Sequence, residues 1–149
     1  MRVCLSSTPF DPWLALHNHQ TTKSELSGKY GATSVFVGSM RDFNQGDRVQ
    51  SLYLEHYPGM TEKQLEQISL RAFEQWTLLD SLVIHRTGLV YPEETLVLVA
   101  VWSAHRGDAF DASRFIMENL KSGAPFWKKE ILANGQARWV EKNTDGYCH

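Results

Sequence analysis

The residues best suited to chemistry in this sequence are cations that stand beside apolar segments. Lys121 and Lys128 lie on either side of the break at "SGAPFW". Lys121 ends a segment with helical spacing and Lys128 follows in a segment with the pattern of a strand, so both amines are expected to face one space across the turn. The alternative is a pair of ordinary solvated lysines, since lysine is seldom buried.

Three further cations follow apolar strand-like segments. Arg41 comes directly after "SVFVGSM", and His105 and Arg106 end "LVLVAVWSAHR", just before a predicted helix. Residues at strand ends often contact ligands, and a helix N-terminus favours an anion. A capping or salt-bridging role is an equal alternative for any one of them, but together they predict a local anion site.

Composition limits the kinds of protein that this chain can be. Its 149 residues, 42% of them hydrophobic, suffice for one core, so a single domain over residues 1–149 is expected. A net charge of -2 argues against a general nucleic-acid binder. Cys4 and Cys148 form no CxxC pair, and no signal-like or membrane-spanning apolar run is present, which predicts a reduced, cytoplasmic setting away from membranes.

Familiar catalytic and metal-binding motifs are missing from the sequence. It has no Gly-rich phosphate loop, HExxH, GxSxG or cysteine nucleophile pattern. His17 and His19 in "HNH" diverge if they lie on a helix, and no third ligand is evident, so no metal site is expected.

Several other conspicuous side chains have structural interpretations. His85 and Arg86 resemble the later "HR" pair but end a predicted hairpin strand, which favours a structural or dimer-interface role. Trp76, Trp102 and Trp139 are expected in the core or in an interface and not as base-stacking platforms.

The elements that must position these residues alternate along the first part of the chain. The predicted strands are "RVCLS", "GATSVFVGSM" and "VQSLYLEHY", and the polar "RDFNQGDR" is predicted to form a turn or loop. A short helix is predicted over "DPWLALHNHQ", with Asp11 as N-cap and Pro12 at its first position.

Two longer helices are predicted after that. The first begins at about Thr61, which is expected to cap it. Its apolar positions recur at steps of three and four residues: Leu65, Ile68, Ala72, Trp76 and Leu79. The second spans "DAFDASRFIMENLKSG", where Asp108 is expected to cap the helix and Gly123 to stop it.

The remaining segments complete an α+β pattern. "SLVIHRTGLVY" and "TLVLVAVWS" are predicted as a hairpin-like pair of strands, and "FWKKEIL" and "ARWVEK" as closing strands joined at "ANGQ". Residues 143–149 are predicted to form a flexible tail. Adjacent strands with two main helices and a short N-terminal helix favour α+β over a doubly wound sheet. The apolar surface of "TLVLVAVW" and "LVIHRTGL" predicts a dimer built on them.

Four segments, taken in order, resemble the molybdopterin synthase catalytic subunit, the MoaE-type large subunit. They are "GATSVFVGSMRDFNQGDRVQSLYLEHYPGMTEKQLEQI", "VIHRTGL", "SAHRGDAFDASRFIMENLKSGAPFWKKE" and "RWVE". The resemblance runs over about residues 31–141, and the first thirty or so residues match poorly. It implies an α/β-hammerhead-like fold with an antiparallel sheet. It also implies a heterotetramer, in which two large subunits form a central dimer and a small ubiquitin-like sulfur carrier of the MoaD type docks at each end.

The resemblance further implies a sulfurtransferase reaction. The substrate would be cyclic pyranopterin monophosphate (precursor Z), and two sulfurs from the carrier's C-terminal thiocarboxylate would form the dithiolene of molybdopterin. Because a partner brings the sulfur, the chain itself needs no catalytic cysteine, ATP loop, metal or other cofactor. Clustered positive charge suits both the phosphate and the thiocarboxylate.

Site residues are implied position by position. Lys121 and Lys128 match the family's catalytic lysines: Lys121 is expected to act on the thiocarboxylate carbonyl or as a proton donor, and Lys128 to assist at the substrate, while the division of proton transfer between them stays open. The implied substrate-binding residues are Ser39, Met40, Arg41, His105, Arg106, Lys121, Lys128, Lys129 and Glu130.

Two positions depart from the family pattern. Ser39 stands where a cation is common, which predicts a weaker phosphate grip there. Glu93 stands where many relatives have a turn glycine, which is expected to alter only a hairpin. Two rival functions remain open: a non-catalytic module that docks a ubiquitin-like protein, and an enzyme acting on another phosphorylated heterocycle.

Overall fold

The computed structural model describes residues 1–141 and 146–147, so the predicted tail over residues 143–149 falls mostly outside the described residues. The described helices are α1 (Pro12–Thr21), α2 (Met60–Gln75) and α3 (Arg106–Gly123), with a 3-10 turn at Ser24–Leu26. The described strands are β1 (Arg2–Ser6), β2 (Ala32–Ser39), β3 (Phe43–Asn44), β4 (Asp47–His56), β5 (Asp80–Arg86), β6 (Gly88–Val90), β7 (Thr95–Ser103), β8 (Phe126–Leu132) and β9 (Ala137–Val140).

The first sheet has the strand order β1-β5-β7-β2 and carries helices on both faces. Strands β5, β7 and β2 are antiparallel neighbours, and β1 is parallel to β5. One face of the sheet packs against α2 and α3 through Val83, Val99, Ile68 and Ile116. The opposite face packs residues of α1 around Trp102. The expected α+β class is confirmed.

The coverage of this sheet corrects one argument from the sequence. Every residue of β7 from Val97 to Ser103 is buried within one chain. A strand buried on both faces has a nearly continuous apolar sequence. The apolar character of "TLVLVAVW" therefore reflects coverage by the chain's own helices, so this strand does not itself supply the apolar surface for a dimer.

The second sheet has the order β3-β4-β8-β9, with β6 also paired to β4. Its existence divides the segment "SLVIHRTGLVY", which the sequence predicts as one strand. The chain leaves the first sheet after Arg86, Thr87 N donates to Ser6 O at 2.9 Å, and Gly88 turns the backbone at φ 77° into the second sheet. The predicted loop "RDFNQGDR" contributes β3, which pairs with the start of β4.

Two helix starts also differ from the predictions. Helix α2 is capped at Gly59, whose φ of 84° turns the chain, so Thr61 lies inside the first turn. Helix α3 is capped at His105, which places Asp108 in its first turn. A carboxylate at that position still interacts favourably with the helix dipole. The cap at Asp11 is confirmed, since its carboxylate accepts from the amides of the first turn of α1. No helix among the described residues is long and apolar enough to cross a membrane.

Candidate functional site

The structure brings Lys121 and Lys128 together. Lys121 lies in the last turn of α3, and Lys128 is the third residue of β8. A hydrogen bond joins their side chains, and both residues are partly buried. The two amines therefore share one space beside the chain reversal that separates them.

The chain reversal itself is firmly held. Helix α3 ends at Gly123, and the extended backbone of Ala124 turns the chain toward β8. Thr61 Oγ1 donates to Pro125 O at 3.3 Å and accepts from Tyr57 N at 3.0 Å, which ties the start of α2 to this loop. Ala124 and Phe126 pack against the buried cluster between the helices and the first sheet. The loop between the two lysines is thus held in place by a hydrogen bond to α2 and by packing against the core.

Burial and mutual repulsion change the acid–base chemistry of the pair. Burial first, and then the charge and hydrogen bond of Lys121, lower the pKa of Lys128 to about 7, while the carboxylate of Glu130 opposes the shift. Both causes disfavour a second ammonium in one small space. The neutral amine of Lys128 is therefore accessible near neutral pH, so this group can give or take a proton.

His85 belongs to the same cluster, and the sequence interpretation as a structural or interface residue missed this placement. It is buried on β5, its ring stacks on Phe126 at 3.9 Å between centroids, and its Nδ1 lies 2.7 Å from Arg86 O. Burial, together with the charges of Lys128 and Lys121, lowers the pKa of His85 to about 3. The imidazole is therefore neutral under ordinary conditions.

Arg86, the neighbour of His85, is a structural residue, as its sequence interpretation allowed. Its guanidinium is almost fully buried and donates to Leu89 O at 2.7 Å, with Glu94 at 3.4 Å. These contacts hold the turn that carries the chain from β5 to β6.

The segment of residues 39–41 lies at the same end of the first sheet as the lysine pair. Ser39 pairs with Thr95 at the start of β7, and that end of β7 pairs with His85 through Val97. Arg41 is exposed just beyond this end. Met40 is buried among the apolar side chains of the second sheet, which anchors the backbone next to Arg41.

His105 and Arg106 lie at the opposite end of α3. Arg106 is the first residue of the helix and Lys121 lies in its last turn, which separates them by roughly 22 Å at 1.5 Å per residue. The turn there is tight, because a Cβ at Gly31 would lie 1.9 Å from Ala104 O. Within one chain, the structure does not bring this pair to Arg41 or to the lysines.

Lys129 points away from the lysine pair, and Glu130, on the same face of β8 as Lys128, is bound to other partners. Residues of a strand alternate between its faces, so Lys129 points away from Lys128 and lies 5.7 Å from the ring centre of Trp139. Glu130 is buried and accepts from Arg138 Nε at 2.8 Å and from Asn44 Nδ2 at 2.9 Å. Glu130 therefore fastens the β3–β4 hairpin to β8 and β9.

Other candidate positions have structural partners. His19 is buried with Nε2 2.7 Å from Asp80 Oδ2, whereas His17 is exposed, so the two diverge as their spacing predicts. No group of three or more His, Cys, Asp or Glu within the described part of the chain is placed to hold a metal ion. Trp102 is fully buried and donates to Gln20, which confirms its place in the core.

A groove of about 420 Å³ opens beside the lysine loop, lined by Glu55, His56, Tyr57, Trp127 and Trp139. It lies on the outer face of the second sheet, because Trp127 alternates with the inward-facing Phe126 and Lys128. Neither lysine of the pair lines it, so the chemistry of the pair is separate from this groove.

Comparisons with known proteins agree with this arrangement. Residues 7–123 match the family described as MoaE protein, a match that starts well before residue 31. The catalytic subunit of molybdopterin synthase from Ralstonia nicotianae is 58% identical over 74% of this chain and 62% of its own length. The subunit of the same name from Pseudomonas aeruginosa is 53% identical over 95% of this chain and 91% of its own length.

A solved structure supports the same family assignment. The crystal structure of molybdopterin synthase from Staphylococcus aureus has a TM-score of 0.80 and 31% identity, covering 91% of this chain and 94% of that chain. Sequence and fold thus agree over nearly the whole described chain. The chain belongs to the MoaE protein family.

Proposed function

We propose that this chain is the catalytic subunit of a molybdopterin synthase. It transfers sulfur from the thiocarboxylated C-terminus of a small ubiquitin-like carrier to cyclic pyranopterin monophosphate, in the biosynthesis of the molybdenum cofactor. The observation that carries the proposal is the hydrogen-bonded pair of Lys121 and Lys128, in which Lys128 has a pKa of about 7. The relatives named as catalytic subunits support it.

The lysine pair suits the chemistry of a thiocarboxylate. A thiocarboxylate is an anion, and one ammonium of the pair neutralises it while the carbonyl oxygen gains charge. As sulfur bonds to the substrate carbon, the other amine, held close to neutrality, gives a proton to the oxygen substituent that leaves that carbon. Water then cleaves the acyl C–S bond of the resulting thioester, so the carrier leaves as a carboxylate. Lys121 is assigned to the carrier carbonyl and Lys128 to the substrate.

We assign substrate binding to two groups of residues from two chains. Residues 39–41 share the end of the sheet with the lysine pair, whereas His105 and Arg106 lie roughly 22 Å away along α3. A phosphate subsite that includes all of them requires His105 and Arg106 from a second copy of the chain. The central dimer of the proposed heterotetramer then completes each substrate site. One carrier docks at each end, and all of the partners are in the cytoplasm.

Lys129 and Glu130 enter the proposal as supporting residues. Glu130 holds the hairpin that follows Arg41, and its carboxylate raises the pKa of Lys128 against the effect of burial. Lys129 lies on the other face of β8 over Trp139. Both act on the site through the geometry of β8.

The proposal is tested by mixing the purified chain with precursor Z and a thiocarboxylated carrier and measuring molybdopterin. Formation of the dithiolene is expected only with the thiocarboxylate form of the carrier. A stable complex without any product would favour the docking-module alternative. Turnover of a different phosphorylated heterocycle, with precursor Z left unchanged, would favour the other rival.

A further inference from the structure

Strand β2 forms an edge of the first sheet. It pairs with β7 on one side, and no other described strand pairs with it on the other side. Every second residue of an edge strand turns its backbone N–H and C=O groups outward, where another chain can pair with them. Proteins usually protect such an edge with charges, proline or a short strand. Strand β2 has eight residues, and the segment "GATSVFVGSM" that contains it has neither a charged residue nor a proline.

The other edge strands that the structure describes are shorter, and two of them carry a cation. Strand β1, at the opposite edge of the first sheet, has five residues and begins with Arg2. Strand β9, at an edge of the second sheet, has four residues and includes Arg138. Strands β3 and β6 have two and three residues. Among the described edges, β2 is therefore the one best suited to pair with another chain.

The side chains of β2 support the same conclusion. Val35 and Val37 pack on the cluster around Trp102, on the face of the sheet that α1 covers. Phe36 projects from the opposite face, since it pairs with Val99, which faces α2 and α3. It is 41% exposed, so a large apolar side chain lies beside the unpaired backbone groups in the middle of the edge.

We propose that β2 is the interface between two copies of this chain, which pair β2 to β2, antiparallel, about a two-fold axis perpendicular to the sheet. Rotation about such an axis keeps each face of the sheet on its own side. Directly opposed residues of antiparallel strands also share a face. The axis must therefore lie at the level of one residue and not midway between two. Phe36, near the middle of β2, then lies opposite the partner's Phe36, which covers both rings.

This pairing completes the composite substrate site, and for that consequence the inference rests on the proposed function. Antiparallel pairing places the end of one β2 beside the start of the other. Residues 31 and 41 are each five positions from Phe36, so Arg41 lies beside the partner's Gly31. Gly31 contacts the backbone of Ala104, which directly precedes His105. Arg41 and the partner's His105 are then separated by two strand spacings, roughly 10 Å, a gap that long side chains and a bound phosphate can bridge.

Opposite charges at Phe36 test the pairing, because this side chain lies opposite its own copy. The parent chain is expected to be a dimer by light scattering at micromolar concentration. Phe36→Lys and Phe36→Glu should each be monomers, since like charges then meet at the axis. An equimolar mixture of the two variants should recover the dimer. Leu70→Lys and Leu70→Glu are the matched controls and should stay dimeric, because Leu70 is exposed on α2, which contacts β1 at the opposite edge of the sheet.

A disulfide cross-link measures the same contact without introducing a charge. In a chain with Cys4→Ser and Cys148→Ser, Phe36→Cys should form a disulfide-linked dimer when oxidised glutathione is added. Directly opposed Cβ atoms lie about 4.5–5.5 Å apart, which is close to the separation that a disulfide needs. Leu70→Cys in the same background should stay unlinked. If circular dichroism shows that the charged variants do not fold, the cross-link decides.

A monomeric parent chain, a dimer in both charged variants of Phe36, or a mixture that stays monomeric would overturn the β2 interface. Absence of the cross-link at Phe36 would overturn it as well. A parent chain that dimerises through β2 but makes no molybdopterin would instead count against the proposed function and leave the interface standing. The two failures are therefore distinguishable.

Discussion

Lys121 and Lys128 are joined by a hydrogen bond although they come from different elements, the last turn of α3 and the third position of β8. The contact depends on the loop between them, which is tied to α2 through Thr61 and Pro125. Two amines held this close do not both keep a proton at neutral pH without cost. The lysine pair therefore lowers the free energy of unfolding of the chain, and this effect can be measured.

The first prediction is that Lys128 destabilises the folded chain at low pH. Its folded pKa of about 7 lies below the ordinary value of 10.5, so the unfolded chain binds more protons between these values. Its contribution to the free energy of unfolding therefore rises with pH from about 7 upward. Lys128→Met should remove this dependence and raise the stability at pH 6 by about 1–3 kcal/mol, after allowance for solvent screening.

Urea unfolding at pH 6, 7.5 and 9 checks this expectation. Lys129→Met is the matched control, because that side chain lies on the other face of β8 and should change stability by less than about 0.5 kcal/mol. An equal pH dependence in the parent chain and in Lys128→Met would contradict the assignment.

Glu130 is predicted to stabilise the second sheet, because it links the β3–β4 hairpin to β8 and β9. Glu130→Gln removes the charge that Arg138 and Asn44 share, and should lower the free energy of unfolding by about 1–3 kcal/mol. Amide hydrogen exchange over residues 43–47 should accelerate as well, since the hairpin loses its tether. The exposed Glu141→Gln serves as the comparison, and equal exchange in both variants would refute the role of Glu130.

Glu93 is predicted to carry backbone strain. Its φ of 76° lies in the left-handed region, which favours glycine over residues with a Cβ. Glu93→Gly should stabilise the chain by up to about 1 kcal/mol, measured by thermal unfolding. Glu118→Gly, inside α3, should instead cost about 1 kcal/mol. A loss of stability at both positions would show that the turn is not strained.

Local patterns in the sequence predict the lysine pair but not its surroundings. Lys121 and Lys128 follow from the spacing of one helix, one strand and the glycine between them. The place of His85 at the end of a predicted hairpin strand favours a structural role, whereas the contact with Phe126 depends on long-range pairing that local patterns do not show. The split of "SLVIHRTGLVY" at Thr87 escapes prediction for the same reason, since both halves have the pattern of strands.

The remaining site residues show a second limit of sequence reasoning. Arg41 and His105 have the same type of placement, each after an apolar strand, and this similarity suggests one pocket. Because β2 and β7 are antiparallel, the ends of these two strands lie at opposite ends of the sheet. The sequence alone does not show that the two strands run in opposite directions. Because they do, one chain cannot bring Arg41 and His105 into one pocket.

A composite site makes a prediction about mixed assemblies. Arg106→Ala and Lys121→Ala should each be inactive alone but recover activity when chains of the two variants are dissociated and reassembled together. A hybrid dimer then has one site with both residues intact, so random mixing should restore about a quarter of the parent activity. A mixture of Lys121→Ala with Lys128→Ala should stay inactive, because both residues come from one chain. Recovery in the second mixture, or none in the first, would refute the composite site.

The most direct test of the central claim is single-turnover sulfur transfer by Lys121→Ala and Lys128→Ala, with precursor Z and thiocarboxylated carrier. Both variants should bind the carrier, since docking energy comes mainly from buried apolar contacts. Sulfur transfer should fall by about 10²–10⁴-fold in each variant. Arg at either position should not restore transfer, because a guanidinium does not release a proton at neutral pH. Near-normal transfer by both alanine variants would contradict the account.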